Sequence, residues 1–145
     1  MASSRHTVRD AMATLLQTAL VGTGLPVAAV YGYQVGDFAG QSPVVVVSSA
    51  GSRRVRMTRS GSRATFYLLI STFVMYSDGA SWGEDDAEDA IDAIEALLAD
   101  VIDDNQVTTN WQALDYSDRS QRISVEIGGT EYIYEAVEVS VEVFG

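Results

Sequence analysis

Residues 51–63 read GSRRVRMTRSGSR and hold Arg53, Arg54, Arg56, Arg59 and Arg63, five of the nine basic residues in a chain whose formal net charge is −11. Clustered arginines bind phosphate or carboxylate oxygens through paired hydrogen bonds. Phosphate would mean nucleic acid. Carboxylate would mean an acidic protein surface, and the chain has one of its own in EDDAEDAIDAIEALLADVIDD at 84–104, with ten acidic residues. Carboxylates on one helix face, such as Asp85 with Asp89 or Asp92 with Glu95, could hold a cation weakly. A calcium loop instead alternates oxygen ligands around a central glycine, whereas apolar residues intervene here, so a solvated face is the plainer reading.

Other chemistry finds little footing. The one histidine, His6, lies near the start of the chain and reads as a capping or surface residue, not the fixed imidazole of a hydrolytic triad. Ser52 and Ser62 have arginine neighbours and make no G-x-S-x-G elbow. GTGLP lacks the third glycine of a dinucleotide loop, and with no lysine in the chain there is no P-loop. The absence of cysteine excludes disulfides and thiolate metal sites. The expectation is a protein that is not an enzyme and needs no cofactor or metal. Trp82, Trp111 and the seven tyrosines could be a base-stacking surface, but Tyr67, Tyr76, Tyr132 and Tyr134 fall within apolar strands and no aromatic alternates with the arginines, which argues against a single-strand groove.

The elements that must position these residues follow from periodicity. At 145 residues and 47% hydrophobic, the chain is sized for one globular domain, 1–145. Val8, Met12, Leu15, Leu16, Ala19 and Leu20 keep helical spacing, with Thr7 and Asp10 as the capping signal and Gly22 and Gly24 as the stop. Asp10 and Gln17 interrupt the apolar run, so this segment does not read as a signal peptide. FYLLISTFVMY at 66–76 is too short for a membrane helix, and the expectation is a soluble chain without membrane contact. VAAVYGYQV reads as a strand, and VVVV at 44–47 as one buried on both faces. ATFYLLISTFVMY at 64–76 is the longest apolar strand. The arginine stretch between the last two then reads as a mobile hairpin arm at 51–63.

The second helix begins with Ser81 as N-cap and Glu84 completing the capping box, and its apolar set runs from Ala87 to Ile102. Its acidic residues occupy the other face and both ends. Asp103 and Asp104 oppose the helix dipole, so the apolar face or a basic partner must hold it. WQAL at 111–114 and RISVEI at 122–127 read as strands. Gly128–Gly129 makes a turn that sets Val125 opposite Tyr132 and Ile123 opposite Tyr134. Beyond it the apolar face moves from even positions to the odd Val137, Val139, Val141 and Val143, which predicts a bulge near Glu135 and Ala136.

In this order the elements RHTVRDAMATLLQTAL, YGYQVGDFAGQSPVVVV, ATFYLLISTFVMY, EDAIDAIEALLADVI and YEAVEVSVEVF resemble the tail terminator proteins of long-tailed bacteriophages. The resemblance implies an α+β fold, a mixed and mainly antiparallel sheet with two main helices packed on one face, whose subunits assemble as a six-fold ring. It also implies a virion protein at the head-proximal end of the tail, in the host cytoplasm before assembly. Its partners would be itself, the major tail tube protein and a head-completion or connector protein, with DNA passing the lumen. It assigns no role to individual residues.

Charge segregation marks Arg53, Arg54, Arg56, Arg59 and Arg63 as one face of a subunit or partner contact and Asp85, Asp86, Asp89 and Asp92 as the other. Two further readings stay open: another head-to-tail connector, and a nucleic-acid-binding module using the arginines. Against the latter, removing the arginines' +5 from −11 leaves −16 on the remaining chain, a field that repels DNA beyond a Debye length of about 8 Å.

Overall fold

The computed structural model describes residues 4–22, 24, 25, 27–32, 42–56, 62–75, 84–108, 111–127 and 130–144; within these, side chains are described except at 54–56, 62, 75, 84–87, 116–127, 130, 131 and 144. Two helices and five strands follow in the order α1 (Arg5–Leu20), β1 (Ala29–Tyr31), β2 (Val44–Arg56), β3 (Ser62–Met75), α2 (Glu84–Asp104), β4 (Ala113–Ile127) and β5 (Thr130–Phe144). The strands form one curled sheet in the order β1-β2-β3-β5-β4. Only β1 runs parallel to its neighbour, and the other three pairings are antiparallel. The fold is therefore α+β with a mixed, mainly antiparallel sheet.

Both helices pack on one face of that sheet. α1 contributes Val8, Met12, Leu16 and Leu20, and α2 contributes Ile94, Leu98, Val101 and Ile102. Against them lie Val45 and Val47 of β2, Phe66, Leu68 and Ile70 of β3, and Val139, Val141 and Val143 of β5. The other face has its own smaller cluster of Val44, Val46, Phe73 and Tyr132, with Tyr31 and Tyr134 at its margin. Phe73 stacks on Tyr134 with ring centres 4.8 Å apart and meets Tyr132 edge-on at 6.4 Å. All four valines at 44–47 are buried, two to each side, as an unbroken β-branched run requires.

Several local expectations are corrected. The α1 cap is Ser4, whose hydroxyl accepts from the Thr7 amide at 3.2 Å, one helical turn before the expected position. The helix ends at Leu20, where Val21 N–H donates to the Gln17 carbonyl at 3.1 Å, and Gly22 and Gly24 follow at positive φ, as the stop signal expects. The capping box at Ser81 and the turn at Gly128–Gly129 lie outside the described residues. So does the second half of the VAAVYGYQV strand, of which Ala29–Tyr31 is paired.

The bulge expected near Glu135 and Ala136 is absent. Those residues pair in unbroken register with Thr72 and Ser71, and the irregularity lies on β4, between Tyr116 and Ser120. The apparent change of face has another cause. Ile133 packs under α2 with Val74 and Ile91, so odd positions face the helices from the start of β5, while Tyr132 and Tyr134 serve the second cluster. The expected pairings Val125↔Tyr132 and Ile123↔Tyr134 are present.

At its C-terminus α2 has no basic residue to meet Asp103 and Asp104. The Asn105 side chain donates to the Val101 carbonyl at 2.8 Å, and the indole of fully buried Trp111 donates to the Asn105 carbonyl at 2.8 Å. Apolar contact and this cap hold the helix without a cation. Leu97 is half-buried at the edge of the core, and Leu98 is the fully buried neighbour. Leu98→Ala should cost about 2–5 kcal/mol in urea unfolding; a change below about 0.5 kcal/mol, typical of surface sites, would contradict this packing.

Candidate functional site

The arginine stretch is largely part of the sheet. Gly51–Arg56 pairs with Tyr67–Ser62, and β5 continues alongside to the pair Arg63↔Phe144. Of the mobile hairpin arm expected over 51–63, residues 51–56 and 62–63 are paired strand, and 57–61, with Arg59, lie outside the described residues. The ladder is irregular between Ser49 and Gly51, where Gly51 takes φ +144°, a conformation that favours glycine. The glycine that reads as a loop border marks a bulge inside a strand.

Arg53 is exposed opposite Thr65, Arg54 stands opposite Ala64, and Arg56 opposite Ser62. Arg63 lies 3.9 Å from the Glu142 carboxylate in a partly exposed pair, an arrangement worth about 0–1 kcal/mol. Arg5, absent from the sequence-level set, joins this end. Its guanidinium donates to Ser52 Oγ at 2.7 Å and sits 5.9 Å from the centre of the Phe66 ring. Nothing local in the sequence marks Arg5, because its partners are 47 residues or more away.

The acidic set lies at the other end of the sheet. Asp89 and Asp92 are exposed on α2 on either side of Ile91, which packs on Val74 and Ile133. Along β3, Val74 is 11 residues from Arg63, roughly 35 Å of strand. Asp85 and Asp86 belong to the first turn of α2, farther from the arginines along the helix. The structure sets Arg53 and Arg63 on one face of this sheet end and Arg5, with Ser52 and Phe66, on the other, and keeps them apart from Asp89 and Asp92 of the same chain.

Glu95 does not join the exposed acidic face. It is half-buried on α2, over Glu135 of β5. Burial, then hydrogen bonding with the Glu135 carboxyl and the negative charges of Glu135 and Asp92, push the Glu95 pKa up to about 7. Its spacing from Ile91 and Leu98, four and three residues, is the signal that could have placed it on the buried side.

His6 is exposed in the first turn of α1, with Nε2 2.7 Å from the Asp10 carboxylate. Among the described residues no three His, Asp or Glu side chains are placed to hold a metal ion, and no helix is long and apolar enough to cross a membrane. Comparison with known proteins finds no protein-family model and no curated protein that matches the chain.

Since the described arginines sit at a sheet end and make at most marginal ion pairs, serine at 53, 54, 56, 59 and 63 together should preserve the fold. Circular dichroism should stay native, with unfolding free energy within about 2 kcal/mol of the parent. Loss of a cooperative melt would mean that the stretch is structural.

Proposed function

We propose that this protein is a structural component of a phage tail: a ring-forming terminator that caps the tail tube, ends its polymerisation and offers the surface to which the head joins. On this reading it is not an enzyme and takes no cofactor. The order of the elements motivates the assignment through the family resemblance. The observation that carries the ring is the placement of two unlike charged patches at opposite ends of one sheet. A ring closes through heterologous contacts, each joining two different surfaces of the same subunit. The basic end, with Arg5, Arg53 and Arg63, and the acidic part of α2, with Asp89 and Asp92, are two such surfaces. Their separation within one chain leaves each free to meet its complement on the next.

Charge complementarity of this kind chooses the partner and orientation more than it adds affinity. Arg59, Asp85 and Asp86 belong to the same proposed patches by sequence. The exposed Arg53 also suits a phosphate, so DNA passing through the ring is the second contact to test. A steep salt dependence of duplex binding that disappears with the five-serine variant would favour a nucleic-acid-binding module over this assignment.

The direct test is electron microscopy of the protein mixed with tube subunits of the same phage. Tubes of limited length bearing a ring at one end are expected. Tubes of unregulated length with no ring bound would overturn the proposal.

A further inference from the structure

The seat of α2 on the sheet is not wholly apolar. Glu95 lies on the buried side of the helix, between Ile91 one turn before and Leu98 one turn after, both nearly inaccessible. Beneath it, Glu135 of β5 is flanked in register by Thr72 of β3 and Arg122 of β4. Ile91 packs on Ile133 and Leu98 belongs to the core that Val137 packs against, so Glu95 is set over Glu135 between them, and Glu135 acts on its carboxyl. A carboxylate has no donor, so two carboxyls set together can share a hydrogen bond only while one of them carries a proton. Glu95 Oε1 and Thr72 Oγ1 are both buried without a hydrogen-bond partner, which leaves little to solvate a second negative charge here.

We propose that Glu95 and Glu135 form a proton-dependent latch between α2 and the sheet: the shared proton joins helix to strand, and its loss sets two carboxylates against each other beneath the helix.

The surrounding charges act on this latch from each packed element. On α2, Asp92 adds like charge one turn before Glu95, and half-buried Glu88 follows two turns before it. β3 presents neutral Thr72, β4 places Arg122 opposite Glu135, and α1 carries Arg9 as its half-buried charge. The sign follows from where the proton is held. In the unfolded chain Glu95 releases its proton near 4.5, and in the folded chain near 7. The folded state therefore binds more protons between those values, and stability falls as pH rises through that window. Below about 4.5 the group adds no pH dependence, and above about 7 the latch is open. The latch itself is independent of the assembly proposal. If that proposal holds, opening the latch also loosens the helix that presents Asp89 and Asp92.

The test compares thermal melting and backbone hydrogen exchange at about pH 5.5 and pH 8.5 for the parent, Glu95→Gln, Glu135→Gln and Asp100→Asn. Glutamine mimics the protonated carboxyl, while Asp100 is an exposed acid on the same helix and controls for net charge. The parent should melt lower at pH 8.5, with α2 amides exchanging several-fold faster relative to those of β3 once intrinsic rates are corrected. Either glutamine variant should remove most of both effects and melt above the parent at pH 8.5, and Asp100→Asn should follow the parent. Parallel pH curves for parent and glutamine variants would overturn the latch, as would an equal flattening by Asp100→Asn. Failure of both glutamine variants to fold at pH 5.5 would also contradict it, since the amide keeps the donor that the proton supplies.

Discussion

The structure depends on burying the middle of its sheet from both sides. β3 lies at the centre, with strands on both edges, so its backbone hydrogen bonds are made within the sheet and its two faces must each find apolar cover. On one face α1 and α2 supply it, through Met12, Leu16, Ile94 and Leu98 among others. On the other, Phe73 gathers Tyr132, Tyr134, Val44 and Val46. The valines at 44–47 are the hinge of this arrangement, since alternation sends successive side chains into different cores. A polar residue among them would lose burial on one side or the other, whereas their outer neighbours on β2 become serine and arginine as the strand leaves the core.

That departure explains where the charges can go. Arginine cannot enter either core, and it collects at the end of β2 and β3 that extends past the aromatic cluster. Among the described residues of α2, Asp89, Asp92, Asp100, Asp103 and Asp104 are exposed, whereas Glu95 is not. Glu95 occupies a position on the packing stripe, where burial and Glu135 hold its proton to about pH 7. The protein thus combines a two-sided apolar centre with unlike charges at its extremities, and the proposed ring uses those extremities as its contacts.

Much of this was legible in the sequence because it rests on short-range patterns. The valine run, the spacing of apolar residues in both helices and the Gly-Gly signal gave two-sided burial, the α2 end at Asp104 and the pairing of Ile123 with Tyr134. What was not legible rests on contacts between distant residues. The Tyr132–Tyr134 stretch looks like a change of face because both faces of the sheet are apolar there, a fact that depends on Phe73 and Ile91. The Gly- and Ser-bordered arginine stretch looks like a loop because its composition is polar, yet β5 runs alongside and keeps it in the sheet. Nothing local groups Arg5 with the arginines, and Glu95 reads with Asp92 as part of an outer helix face, for the same reason: their partners, Ser52 and Glu135, are distant in sequence. Ser4 and Thr7 are both capping hydroxyls, and only the backbone turn distinguishes them.

The assembly assignment remains a proposal, and its central element is that one subunit's basic end meets the next subunit's acidic helix to close a ring on the tube. The most direct measurement is the solution mass by light scattering of the 15.6 kDa chain alone and with tail tube subunits. The account predicts that the tube acquires a mass increment of six chains. A chain that stays at its monomer mass in the presence of tubes, at every concentration tested, would contradict it.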